Sequence, residues 1–160
     1  KKLKNKILVL NGGKSFFGLE STVINIRDKY PKILRLGSIT QEQIYEIIPN
    51  IIIENNYNVT NLSPGQQKKH YAPNLPIRIN VSEVLDNESL LNFGNNKLKS
   101  NIIELNLSLK GNLKEAAKNF YDYLHKLDNS KCKGIAVAPI PNHKLGKTIN
   151  DRLTRASANK

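Results

Sequence analysis

The chain has 160 residues, is 39% hydrophobic and carries a formal net charge of +12, with 25 Lys and Arg against 13 Asp and Glu. That length allows one average domain or two small ones, and a single cysteine, Cys132, excludes an internal disulfide and a CxxC metal pair. Three well-separated histidines and one thiol speak against a protein-built zinc site, and no apolar stretch approaches a membrane span.

The charge suggests a polyanionic partner: nucleic acid, nucleotide or acidic membrane. Scattered lysines alongside abundant Asn and Ile fit the codon bias of an A+T-rich genome as well. Residues 1–10, KKLKNKILVL, imitate the start of a signal peptide, but the apolar part stops at Asn11-Gly12-Gly13, too short for the hydrophobic region. A soluble, reducing, cytoplasmic setting is expected. Met is absent even from position 1, which reads as a processed product or an excised fragment.

Along the chain, the apolar run 7–10 closed by Gly12-Gly13 predicts a strand ending in a turn. STVINI (21–26) and KILRL (32–36) predict two more, the first β-branched throughout and the second stopped by Gly37. Thr40 and Gln43 have capping-box spacing, and Ile44, Ile47 and Ile48 predict one apolar stripe on a helix ending before Pro49. The sequence then fades into an Asn-rich stretch. Three short strands and one helix make a small core with open sheet edges, the end of an α/β domain rather than the whole of one.

Residues 63–76, SPGQQKKHYAPNLP, hold three of the seven prolines. Pro64, Pro73 and Pro76 favour extended backbone, so this stretch can cross a surface without collapsing. Tyr71 can cover a bound nucleotide, with Lys68 and Lys69 favouring polyphosphate, or it can pack on a neighbouring domain as part of a plain spacer.

Beyond it the pattern becomes regular. IRINV (77–81) predicts a strand, Ser82 a cap for a short helix through Leu91, and NIIELNL (101–107) a further strand. Residues 112–127 predict the clearest helix, with Asn112 as cap, Glu115 at the third position, and Leu113, Ala116, Ala117, Phe120, Leu124 and Leu127 sharing a face. GIAVAPI (134–140) reads as a strand buried on both faces, followed by a helix from Leu145 to Ala156 with Ile149, Leu153 and Ala156 inward. Alternation of this kind indicates a parallel, Rossmann-like sheet.

Three motifs bear chemistry. Gly146-Lys147-Thr148 follows a strand and opens a helix, but position 141 is Pro where a phosphate-binding loop needs glycine, so Gly146 reads as a helix–sheet contact. In GLESTV (18–23), Ser21 and Thr22 can face a cleft and bind a carboxylate or phosphate, or can satisfy turn backbone. Arg35, at a strand end, suits bidentate phosphate contact or a surface ion pair. His125 and His143 read as solvated, and no nucleophile elbow accompanies them.

Taken in order, GLESTVINI, ILRLGSIT, SPGQQKKHYAP and LGKTINDRLTRAS resemble the Sua5 branch of the YrdC/Sua5 family, the threonylcarbamoyl-AMP synthases. The resemblance implies an α/β chain in three parts. Residues 1–58 would be the C-terminal part of a YrdC-like twisted α/β catalytic domain, 59–76 the Pro-rich linker, and 77–160 a Rossmann-like parallel-sheet Sua5 domain. It implies synthesis of threonylcarbamoyl-AMP and pyrophosphate from threonine, bicarbonate and ATP, a nucleotidyl transfer, for threonylcarbamoylation of adenosine 37 in tRNA. Ser21 would bind threonine, Arg35 and Tyr71 would bind ATP, and Mg²⁺ would accompany the polyphosphate.

The sequence departs from the family pattern. KxR and SxN motifs have no counterpart, Asn11 and Lys14-Ser15 stand where Asp and Pro-Cys are usual, Leu36 replaces Pro, and Gln66-Gln67 replace Met-Lys. The isolated chain is therefore expected to be inactive, with a separate chain carrying the missing YrdC half as one possible partner. The other class of reading is a non-catalytic Sua5-like module that binds RNA or a partner protein through its basic surface.

Overall fold

The strands form two separate sheets. The computed structural model of the chain describes residues 8, 10, 12, 13, 15, 17–53, 72–128 and 131–157. The first sheet is β1 (Val23–Asn25), β2 (Lys32–Arg35) and β3 (Ile52–Ile53), in that spatial order. β1 runs antiparallel to β2 and β2 parallel to β3. Between β1 and β2 the Asn25 side chain accepts the Arg27 N–H at 2.9 Å, the local turn bond that reverses the chain.

Helix α1 (Gln41–Tyr45) joins β2 to β3 and starts with the full capping box: the Thr40 hydroxyl accepts the Gln43 N–H, and the Gln43 side chain accepts the Thr40 N–H. Ile33, Ile44 and Ile51 bury together beneath it. Two expectations need correction here. Ile47 is 82% exposed, because the helix ends at Tyr45 and the chain turns before a second apolar turn can form. The start of the Asn-rich stretch supplies β3, a two-residue strand that pairs with Lys32 and Ile33. The expected strand at 7–10 falls outside the described residues except for Leu8 and Leu10, which are exposed.

The second sheet is fully parallel, with spatial order β4-β7-β5-β6. Its strands are β4 (Ile77–Arg78), β5 (Glu88–Asn92), β6 (Glu104–Asn106) and β7 (Gly134–Val137). β5 and β7 lie in the middle and are buried along their whole length, as expected for the core of a parallel sheet. The helix predicted from Ser82 to Leu91 does not form; its last residues are β5. Each polar side chain of that strand has a distant partner: Glu88 accepts from Arg78 at 2.7 Å, Ser89 donates to the Gly134 carbonyl, and Asn92 donates to Glu104 at 2.8 Å.

Helices α2 (Leu113–Asp128) and α3 (Lys144–Ser157) cover one face of this sheet. Asn112 caps α2 by accepting the N–H groups of Lys114 and Glu115. Phe120, Leu124 and Leu127 of α2 and Ile149 and Leu153 of α3 pack on Leu91, Ile135 and Val137. On the other face a smaller cluster of Val81, Leu90 and Ala136 is closed by Val84 and Leu98 from the loops. Leu19, from ahead of the first sheet, is 6% exposed and inserts into the main core. Leu19 thus ties the segment before the first sheet to the main core, while the sheet keeps its own small cluster.

Gly146 is a contact point, as its sequence setting predicts, though the contact is with the chain leaving β7. A Cβ there would lie 2.0 Å from the Pro141 carbonyl oxygen and 3.2 Å from Leu113. Gly146→Ala should therefore push α3 off its seat and cost about 1–3 kcal/mol, read as a lower urea midpoint at unchanged slope.

Candidate functional site

The antiparallel register sets Val23 opposite Arg35, which brings the segment before β1 alongside the end of β2. Arg35 then folds back on Ser21. Its Nε and Nη2 donate to the Ser21 carbonyl at 3.1 and 2.9 Å, and Nη2 also reaches the Ser21 hydroxyl at 3.2 Å. Ser21 is exposed and Arg35 half-buried, so a hydroxyl and a guanidinium lie side by side near the surface. Thr22 takes the other course open to a turn hydroxyl, donating to the Ile39 carbonyl at 2.6 Å. Of the expected site residues, Ser21 and Arg35 are brought together; Tyr71, with His70, Lys68 and Lys69, lies outside the described residues.

The strand end is fixed by close backbone approach. A Cβ on Gly37 would meet Thr22 N at 2.3 Å and the Glu20 carbonyl at 2.5 Å, so only glycine lets these two segments touch. The Ser38 N–H donates to the Glu20 carbonyl at 2.8 Å across that contact.

Helix α3 holds the same two segments from behind. Arg152 is buried and donates through Nε to Glu20 at 3.2 Å and through Nη2 to the Leu36 carbonyl at 2.7 Å. Thr148, also buried, donates its hydroxyl to the Gly37 carbonyl at 3.1 Å. Lys147 reaches Gln41, and the Lys144 N–H at the start of α3 donates to the Glu42 carboxylate at 2.9 Å. A carboxylate of the chain itself thus takes the place at the helix N-terminus where a phosphate would sit. The Gly146-Lys147-Thr148 triplet is docking machinery.

Burial pushes the Glu20 carboxyl up, yet the Arg152 charge and the hydrogen bonds around it outweigh that and hold it below the ordinary carboxylate value. Burial and the neighbouring Glu20 charge push the Tyr121 phenol up. Sequence reasoning assigned no part to Arg152. The signal was present, since Arg152 falls on the stripe of Ile149, Leu153 and Ala156 that was read as inward. A cation on an apolar face needs a buried partner.

Between β2 and α3 lies a cleft of about 420 Å³, reached by Arg35, Lys147, Asn150, Asp151 and Arg155. Asn80 and Asn142 close it at the carboxyl ends of β4 and β7, where open α/β sheets place their ligands. At the end of the proline-rich stretch, the Asn74 and Leu75 N–H groups donate to Asp128 at the end of α2, at 2.7 and 3.0 Å. That anchors the returning chain. No group of three His, Cys, Asp or Glu side chains comes together among the described residues, and no described helix is long and apolar enough to cross a membrane.

A family model described as the C-terminal domain of threonylcarbamoyl-AMP synthase matches residues 39–158. The chain belongs to this family. The match takes in α1, the second sheet and the whole of α3. Two curated relatives, the threonylcarbamoyl-AMP synthases of Bacillus subtilis and Pyrococcus abyssi, are 27% and 26% identical over 93% of the chain. The chain spans about half the length of each, 48%. The crystal structure of P. abyssi Sua5 complexed with L-threonine shares the fold with a TM-score of 0.77 at 24% identity, covering 92% of this chain and 48% of that one. A form of P. abyssi Sua5 with an adjacent His–Tyr pair changed to Ala gives 0.73 at 22%, covering 92% and 47%. The mixed α/β class and the parallel second sheet expected for a Sua5-type chain are borne out.

The depressed Glu20 carboxyl gives the joint a pH dependence. Its folded value lies below the ordinary 4.5, so its contribution to stability is complete above that value and is lost as pH falls through the folded one. Acid unfolding of the wild type should steepen below about pH 4.5. Glu20→Gln should be less stable at neutral pH and lose less on acidification, both measurable by urea titration across pH.

Proposed function

We propose that this chain is the C-terminal part of an L-threonylcarbamoyladenylate synthase, which joins threonine, bicarbonate and ATP and releases pyrophosphate. Residues 1–58 would complete the catalytic domain, 59–76 form the linker, and 77–160 the Sua5 domain. The observation that carries the reading is the Arg35–Ser21 pair, whose arginine also lines the cleft, in a chain of this family whose similarity to the curated synthases spans about half their length. The product would serve threonylcarbamoylation of tRNA, in the cytoplasm.

In this reading the Ser21 hydroxyl binds the threonine substrate, and the Arg35 guanidinium neutralises ATP phosphate charge. Tyr71 closes over the nucleotide from the linker. This chain has one adjacent His–Tyr pair, His70-Tyr71, and a relative altered at such a pair has a solved structure, which supports attention to the linker. Chemistry here is positioning and charge compensation: an oxygen of the threonine carbamate attacks the α-phosphorus as pyrophosphate leaves. The described residues offer no carboxylate cage for Mg²⁺, so the ion would arrive on the nucleotide's phosphates.

Remaining catalytic groups would come from polypeptide that matches the other half of the relatives, with β1 and β3 at the outer edges of the three-stranded sheet among the described residues. This chain alone should show no threonine- and bicarbonate-dependent ATP–pyrophosphate exchange, and should gain it when that half is supplied. In the reconstituted protein, Ser21→Ala should raise the KM for threonine about tenfold or more. Arg35→Ala and Tyr71→Phe should weaken ATP binding, and unchanged ATP affinity in both would remove the lid. The net charge of +12 favours one rival, a non-catalytic RNA-binding module. Steeply salt-dependent tRNA binding with indifference to threonine would decide for it.

A further inference from the structure

The Ser21–Arg35 pair does not hold itself in place. Ser21 sits on an exposed segment before β1, and Arg35 is the last residue of a four-residue strand in a three-stranded sheet with a small core. Such a sheet is marginal by itself. The neighbours of the pair on both sides are bonded to α3. Glu20, one residue before Ser21, receives Arg152 Nε; Leu36, one residue after Arg35, receives Arg152 Nη2; Gly37 receives Thr148. One planar guanidinium therefore spans the two segments and fixes their spacing. A lysine cannot reproduce that two-pronged geometry.

We propose that Arg152 is a positioning residue for the substrate pair: its guanidinium, bridging Glu20 and the Leu36 carbonyl from α3, sets the distance between Ser21 and Arg35. The inference rests on the functional reading only for what the pair binds. The bridge itself is a matter of geometry. Asp151 on the same helix accepts from both Arg152 and Arg155, which adds a third contact to the guanidinium. Through Arg152, helix α3 thereby acts on the pair from behind.

The test compares wild type, Arg152→Gln and Arg152→Lys in the full 160-residue chain by amide hydrogen exchange and by the NMR signal of the Arg35 side-chain Nε–H. The reporter amide is Ser38, whose N–H is bonded to the Glu20 carbonyl. Arg152→Gln should speed exchange at Ser38 and at the β1–β2 amides beside it by about ten- to a hundredfold, and should shift the Arg35 signal. Amides of β5, β7 and α2 should stay within about twofold of wild type. Arg152→Lys, which keeps the charge on Glu20, should fall between.

Equal loss of protection everywhere would make Arg152 general packing and overturn the proposal, as would an unmoved Ser38 and Arg35. If Arg152→Gln does not fold, Thr148→Val decides: loosening confined to the β2 end supports α3 as the positioning element, and no loosening there overturns it. Titrating L-threonine and ATP into the wild type reads the function separately. Silence at Ser21 and Arg35 counts against substrate binding by this chain, while the exchange pattern still decides on Arg152.

Discussion

A buried guanidinium must have its N–H groups met, because an uncompensated charge in the interior costs several kcal/mol. Arg152 meets this requirement by reaching out of its own helix to a carboxylate and a carbonyl that belong to two other segments. Much of the arrangement hangs on that need. It binds the three-stranded sheet to the parallel one and brings the approach to β1 level with the end of β2. Together with Leu19, which enters the main core, it turns a fragile small sheet into a side wall of a larger body.

The parallel sheet supplies the rigidity on which this depends. Its two central strands are enclosed on both faces, by α2 and α3 on one side and by loop residues on the other. The cleft opens where β4 and β7 end and α3 begins, so one wall comes from the loops that leave those strands and from α3. Its front rim, with Arg35, comes from the thinner sheet. A wall seated on the parallel sheet and a tethered front rim suit a site in which one side has to meet a varied or charged ligand.

Much of this could be read directly from residue order. The caps at Thr40 and Asn112, the amphipathic stripe of α2 and the continuous apolar run of β7 are local signals, and each led to the right element. What failed was nonlocal. The ESLLN run of β5 looks too polar for a central strand, and only the distant partners Arg78, Gly134 and Glu104 make it one. β3 is two residues long and exists because β2 offers an edge. At the site, Ser21 and Arg35 carried chemical hints of their own, whereas Glu20, Thr148 and Arg152 acquire meaning only through one another. A resemblance to known proteins could point at the first pair and not at the second group, since a structural clamp leaves no distinct chemistry in the sequence.

The distance along the chain between the clamp and what it holds has a bearing on biosynthesis. Residues 17–53 leave the ribosome long before 144–157, yet Leu19, Glu20, Leu36 and Gly37 find their partners largely on the later helices. Until the later helices have emerged, Leu19 has no core to enter and Glu20 no guanidinium to meet. During translation that nascent stretch is the one exposed to misassociation and to chaperone capture, and synonymous changes that slow elongation between the two regions would lengthen its wait.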